Sequence, residues 1–245
     1  MMAGVRAELL KIRTGRMWWV LLLIAVPWCA YISYSFGALA TAEGGPVDDA
    51  ALTTTVARQW FQMHLFTSVI GVMAVTREYS ANTVSRSVLL GGGRTRLFWS
   101  KTVAATIVAV AYGALAAVLG AVTAWVTLPL LDVEPVWSNE LTLTLLGVFA
   151  ASVLAAPWGA FLGWIFRNQV VALLVLLLLT LMVEPLLFEV NSDVFNWPFS
   201  IALMSVYRDV NEGLLAVPVA YAVAAAWVVL AGVLGHLLLR SRDVR

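Results

Sequence analysis

The sequence is poor in charge, in cysteine and in recognisable catalytic residues. Of its 245 residues, 12% are charged and 62% are hydrophobic. A soluble domain carries about 25% charged and roughly 45–50% apolar residues, so this chain could not cover its surface as a soluble globule. Disorder is excluded too, because the apolar content is far too high. With one cysteine (Cys29) and two distant histidines (His64 and His236), no disulfide framework or zinc ligand set can be assembled. There is no HExxH and no G-x-S-x-G. The run Gly91-Gly92-Gly93-Arg94-Thr95 lacks the spacing and the lysine of a phosphate-binding loop. The chain therefore offers no means of hydrolysing ATP, and we expect no metal or cofactor site in it. The remaining class is an all-α integral membrane protein.

What the sequence does have is long apolar runs. Crossing the hydrocarbon takes roughly 20 apolar residues. Six segments qualify, 17–37, 59–76, 102–127, 141–166, 169–188 and 214–239. They are continuous rather than alternating, which indicates helices. The second is the weakest, interrupted by Gln62, His64 and Thr67. The first could be confused with a signal peptide ending near Ala38-Leu39-Ala40. Its apolar stretch exceeds the roughly 7–15 residues of a signal core, so we expect it to be retained.

The charges sort by side. Six spans leave segments 1–16, 77–101, Arg167 and the tail on one face, with 13 of the 15 basic residues and 3 of the 14 acidic ones. The other face has only Arg58 and Arg208 against 11 acids, Glu43, Asp48, Asp193 and Asp209 among them. The net charge of +1 thus conceals a +10 face and a −9 face. Basic flanks mark the cytoplasmic side, which predicts both termini inside a cell membrane.

Several segments carry finer expectations. In residues 1–16, Val5, Leu9, Leu10 and Ile12 recur at helical spacing opposite Arg6, Glu8, Lys11 and Arg13, which predicts an interfacial amphipathic helix against anionic lipid. An ordinary basic flank is the plainer alternative. Trp60, Trp99, Trp125, Trp137, Trp164 and Trp197 lie near predicted span ends and read as interfacial anchors. Small residues recur every four positions at Ala109, Gly113, Ala117 and Ala121, and again at Gly147, Ala151, Ala155, Gly159 and Gly163. Such stripes serve either bundle packing or a dimer interface. Residues 189–213 are too polar to span and predict short amphipathic outer helices, one starting near Asn196 before Trp197-Pro198.

The connection 77–101 predicts a short transverse helix, capped by Ser80 or Asn82, running to about Leu90 and stopped by the glycine triplet. Its residues Arg77-Glu78-Tyr79, Asn82-Thr83, Leu89-Leu90, Arg94-Thr95-Arg96 and Lys101 resemble the cytoplasmic signature of type-2 ABC exporter permeases, including the seven-residue interval from Arg94 to Lys101. Glu8-Leu9-Leu10-Lys11-Ile12-Arg13 and Arg242-Asp243-Val244 resemble the same family, and the six-span plan extends the resemblance over residues 1–245 as one transmembrane domain. The glycine triplet stands where that family usually has proline.

The resemblance implies a half-transporter. Two permease subunits, identical or sisters, would form the path, with separate cytoplasmic ATPases holding ATP and Mg²⁺. The helix around Glu78–Leu90 would couple to them through Glu78, Thr83, Arg86, Arg94 and Lys101, and the N-terminal helix would frame the dock. The cargo would be lipophilic or amphipathic, a drug or peptide, in a bacterial plasma membrane, and no nucleic acid is involved. Gln62, His64 and Glu184 are candidate polar groups of the path, since ionisable residues in lipid usually face a cavity. Hydrogen bonding within the bundle is the expectation favoured for His64, and an interfacial position for Glu184. A secondary transporter and a membrane-embedded enzyme are the alternatives. The first would show matching Gly/Pro breaks in two halves, whereas Pro157 and Pro185 both fall in the second half. The second would need clustered catalytic groups.

Overall fold

The computed structural model describes residues 1–42, 48–192 and 194–242. Glu43, Asp193 and the tail residues Asp243, Val244 and Arg245 lie outside the described residues. The regular elements among the described residues are all helical, in the order α1 (Met2–Thr14), α2 (Met17–Ala42), α3 (Asp49–Arg58), a 3₁₀ turn (Gln59–Gln62), α4 (Met63–Ser80), α5 (Val84–Leu90) and α6 (Arg94–Thr127). After it come α7 (Asn139–Phe166), α8 (Gln169–Leu178), a π-helical turn (Leu179–Val183), α9 (Glu184–Val190), α10 (Phe199–Val206) and α11 (Val217–Ser241).

Among the described residues, five helical stretches are long and apolar enough to cross a membrane: Met17–Ala42, Arg94–Leu131, Asn139–Phe166, Gln169–Val190 and Val217–Ser241. Helix α4 covers most of the weak segment 59–76 and is not among the five, because it carries His64, several hydroxyls, Arg77 and Glu78. Its packing explains this composition. α4 makes its most extensive contact with α7, and that crossing depends on glycine. A Cβ at Gly71 would lie 2.1 Å from the Ala156 carbonyl oxygen, and one at Gly159 would lie 2.0 Å from that of Ser68. Thr67 Oγ1 donates to the Ser152 carbonyl across the same contact, at 2.8 Å. A helix enclosed by neighbours can keep polar side chains that a lipid-facing helix could not.

The small-residue stripe of α7 is therefore used inside the bundle. Gly159 and Gly163 meet α4, and Gly147 meets α10, where a Cβ would lie 2.2 Å from the Val206 carbonyl oxygen. On α6, Gly113 meets Phe149 and Ser152 of α7. α7 is the most buried of the five long helices, and Gln169–Val190 the least. The π turn precedes Pro185. Proline has no N–H and crowds the carbonyl four residues back, so a locally widened turn relieves both problems.

Several expectations need correction. The segment after α9 forms one short helix, α10, whose residues Phe199–Leu203 are all buried. It is not amphipathic on a surface but packs on α7 and α11, with Phe199 stacked on Trp158 at 4.7 Å between ring centroids. It begins after Pro198, which occupies the cap rather than the first turn. Helix α3 was not foreseen. Trp60 and Trp164 are not interfacial anchors, since they are 1% and 0% exposed, and Trp60 Nε1 donates to Thr123 Oγ1. Trp99, Trp125, Trp137 and Trp197 do lie exposed. Ala38-Leu39-Ala40 is inside α2, not at a break.

Candidate functional site

One end of the bundle collects α1, the C-terminal turn of α4, α5 and the N-terminal turns of α6. The geometry starts from local signals. Asn82 takes a left-handed conformation (φ 54°) and ends α4 sharply. α5 then begins at Val84 with Thr83 at its cap. Neither Ser80 nor Asn82 caps it, and Thr83 makes no side-chain cap bond. Instead the Thr83 amide donates to the Glu78 carbonyl at 2.9 Å. Gly91 closes α5. Gly92 and Gly93 follow at φ 79° and 109°, values that glycine alone adopts without penalty.

The predicted loop 77–101 is therefore shorter than expected. Glu78 sits on the last turn of α4, and Arg94 and Lys101 sit on the first turns of α6. This brings four charged side chains together. Lys101 Nζ lies 2.8 Å from Glu8 Oε2 and 2.9 Å from Glu78 Oε1, and it also donates to the Ala74 carbonyl at 3.0 Å. Lys11 Nζ lies 2.7 Å from Glu8 Oε1 and 2.7 Å from Glu78 Oε1. Two lysines and two glutamates thus form one network joining α1, α4 and α6, with Glu78 Oε2 buried and without a hydrogen-bond partner. Lys101 is 2% exposed and all three of its N–H donors have acceptors, the condition under which a buried ammonium is tolerated.

Electrostatics follow from this enclosure. Burial alone would push the Glu78 carboxyl up, but the adjacent Lys101 and Lys11 outweigh it and hold it below its ordinary value. Burial would lower Lys11, yet its bonds to Glu78 and Glu8 raise it. Tyr79, next along α4, is raised by burial and lies edge-on to Trp164, with the Arg167 guanidinium 5.7 Å from its ring centre.

Beside the network a cavity of about 770 Å³ opens between α1, α5 and α6. Arg77, Arg86 and Arg96 line its basic side, and Leu89 and Leu90 its apolar rim. Those two leucines are 82% and 78% exposed.

Of the residues singled out from sequence, Glu78 and Lys101 meet directly, Thr83 caps α5 and Arg86 is exposed on α5. Arg94 goes elsewhere. Its Nη1 donates to the carbonyls of Leu239, Arg240 and Arg242 at 3.1–3.2 Å. Arg167 Nη2 reaches the neighbouring Leu238 carbonyl at 2.7 Å. Two guanidinium groups thereby satisfy the open carbonyls at the C-terminus of α11, where the helix dipole also favours positive charge. Glu8 and Lys11 were not read from the sequence as members of this site. The sequence pattern places Glu8 on the polar face of α1 with Arg6, Lys11 and Arg13, whereas it is 6% exposed and bonded to Lys101 of α6. The signal was present in the charge pattern. Glu8 and Glu78 are two of the three acids in the otherwise basic segments, and each pairs with lysines.

Gln62, His64 and Glu184 are not brought together and line neither this cavity nor the one at the opposite end. Gln62 Oε1 accepts from Trp28 Nε1, tying the 3₁₀ turn to α2. His64 Nδ1 lies 2.7 Å from the Phe61 carbonyl. Glu184 does not have the water-exposed interfacial position expected of it. It is 7% exposed and accepts from the Ser200 amide at 2.6 Å, capping α10. Among the described residues no group of three His, Cys, Asp or Glu is placed to hold a metal ion.

A family model described as an ABC-2 family transporter protein matches residues 5–183 of the chain, from α1 through the π turn. No curated protein matches it.

Proposed function

The chain belongs to the ABC-2 family of transporter membrane proteins, a transport component that is not itself an ATPase, and on that premise we propose that it is the membrane-spanning subunit of an ATP-driven exporter, coupled to separate ATPases through α5. The observation that carries this reading is α5 itself. It is a seven-residue helix held between two sharp turns, with Leu89, Leu90 and Arg86 presented outward and Val84 buried as its anchor. An exposed apolar pair beside a cation suits a groove on a soluble partner. The base of α5 is tied to Glu78, and Glu78 through Lys101 and Lys11 to α6 and α1. A displacement of α5 is thereby passed to three helices at once.

In this proposal residues 59–76, the 3₁₀ turn and most of α4, are the sixth span, with α4 enclosed by α2, α6, α7 and α8. Both termini are cytoplasmic, α1 lies at the interface, two permease subunits form the path, and ATP and Mg²⁺ are held by the ATPases. The cargo is lipophilic or amphipathic, and the membrane is a bacterial plasma membrane. The test is co-purification from a membrane expressing the cognate ATPase, with ATPase turnover as the second readout. Leu89→Glu together with Leu90→Glu is expected to lower both at least tenfold, with insertion and melting temperature unchanged. Full association and turnover in that variant overturn the coupling role of α5.

A further inference from the structure

At the end of the bundle opposite the Glu8–Lys101 network, the C-terminus of α3, the N-terminus of α7, the turn after α10 and the start of α11 enclose a second cavity of about 550 Å³. Arg58 lines it and is 5% exposed. Its Nε is buried without a hydrogen-bond partner, and among the described residues none forms an ion pair or hydrogen bond with its guanidinium. Ser205 Oγ, also on the wall, is likewise buried and unpartnered. A buried guanidinium N–H left without an acceptor is costly; the carboxylates of Asp209 and Glu140 act on Arg58 through space without bonding it, and each neighbouring carboxylate is bonded to another group. Glu140 pairs with Arg208 at 3.0 Å, Asp48 accepts from the Ala50 amide at 3.0 Å, and Asp209 accepts from the Val210 amide at 2.8 Å.

The charge balance narrows what fits. Arg58 and Arg208, the two basic residues of the acidic face, both line this cavity, together with the three carboxylates of Asp48, Glu140 and Asp209. A simple anion would satisfy Arg58 but face those acids. A simple cation would leave Arg58 as it is. Leu214, Leu215 and Val217 add an apolar wall. We infer that this cavity binds an amphipathic zwitterion. Its phosphate or carboxylate sits on Arg58 with Ser205 donating to it, its ammonium sits among the wall carboxylates, and its apolar part lies against the leucines. The inference needs neither an ATPase nor α5, so it stands or falls apart from the coupling proposal.

The test uses the full chain in phosphatidylglycerol nanodiscs, with short-chain phosphatidylethanolamine as probe and binding read by thermal shift and native mass spectrometry. Phosphatidic acid of the same chain length supplies the anion without the ammonium, and an alkylamine supplies the ammonium alone. The zwitterion is expected to bind at least tenfold tighter than either. Binding of the acylated form well above free phosphoethanolamine is expected, and phosphoethanolamine binding as tightly as the lipid overturns the role given to the apolar wall and with it the amphipathic assignment. Arg58→Met is expected to bind at least tenfold more weakly while melting no lower than the parent when no probe is present. Ser205→Ala, which removes one hydroxyl, is expected to bind severalfold more weakly and decides the matter if Arg58→Met does not fold. Undiminished binding in the folded variants, equal binding of phosphatidic acid, or no binding of the zwitterion overturns the proposal.

Discussion

At one end of the bundle Lys101 is 2% exposed and has Glu8, Glu78 and the Ala74 carbonyl around its ammonium. At the other end Arg58 is 5% exposed and none of the described residues pairs with its guanidinium. Both are cations taken out of water. The first is neutralised by residues of three helices and holds those helices together. The second sits at a cavity wall with its Nε unbonded, and the carboxylates of Asp209 and Glu140 act on it only through space. A bonded network of opposite charges is a structural joint, whereas a buried guanidinium with a free N–H at a cavity wall is placed to bond whatever enters that cavity.

The largest effect expected from this contrast comes from changing each cation to the isosteric apolar residue. Lys101→Met leaves Glu8 and Glu78 buried against Lys11 alone and is expected to cost about 3–5 kcal/mol, seen as a large fall in melting temperature in detergent. Adding Glu8→Gln to it is expected to restore part of the loss. Arg58→Met at the open end is expected to cost nothing. A comparable loss in both variants would erase the distinction between the ends.

Next comes the middle of the bundle, which both ends rely on. Gly159→Ala places a Cβ 2.0 Å from the Ser68 carbonyl oxygen, and backbone cannot yield as a flexible side chain can. Separating α4 from α7 is expected to cost about 1–3 kcal/mol. Cysteine-accessibility mapping is expected to show change at both ends rather than one.

A smaller effect separates the two lysines of the network. Lys11 touches the same two carboxylates as Lys101, but half of its side chain is exposed. Lys11→Ala is expected to cost about 0.2–1 kcal/mol. A loss as large as that of Lys101→Met would show that α1, not burial, is what the network depends on.

The smallest is a pH effect. Glu78 is held below its ordinary value of 4.5. Its contribution is therefore complete above about 4.5 and is lost as pH falls through the lower folded value. The melting temperature is expected to decline below that pH, and Glu78→Gln is expected to flatten part of the decline. Arg58→Met should leave this acid limb as it is.

Much of the fold was legible in the sequence. Five of the six apolar segments became the five long helices, most ends within a few residues but α6 starting at Arg94 rather than 102, and the glycine triplet did stop α5. Segment 59–76 was correctly the weakest, and the cause is now visible. His64 and Thr67 interrupt an enclosed helix, where neighbours replace the need for apolar surface. The site was legible only in part. Glu78 and Lys101 were singled out, but Arg94, grouped with them by its seven-residue interval, turns to the end of α11. Trp60 and Trp164 carried the same residue-type signal as Trp99 and Trp137 yet face the core, because position near a span end does not say which way a ring points.

Composition and order along the chain determined what depends on neighbours in sequence: the multi-pass helical class, the long apolar helices and the stop after α5. Hydropathy acts over one or two helical lengths, so a linear reading captures it. Only the tertiary structure decided which charges meet. Glu8 and Lys101 are 93 positions apart, and nothing local joins them. Their pairing exists because the glycine-mediated packing of α4 on α7 and the seating of α1 on α6 bring three helix ends within reach of one ammonium.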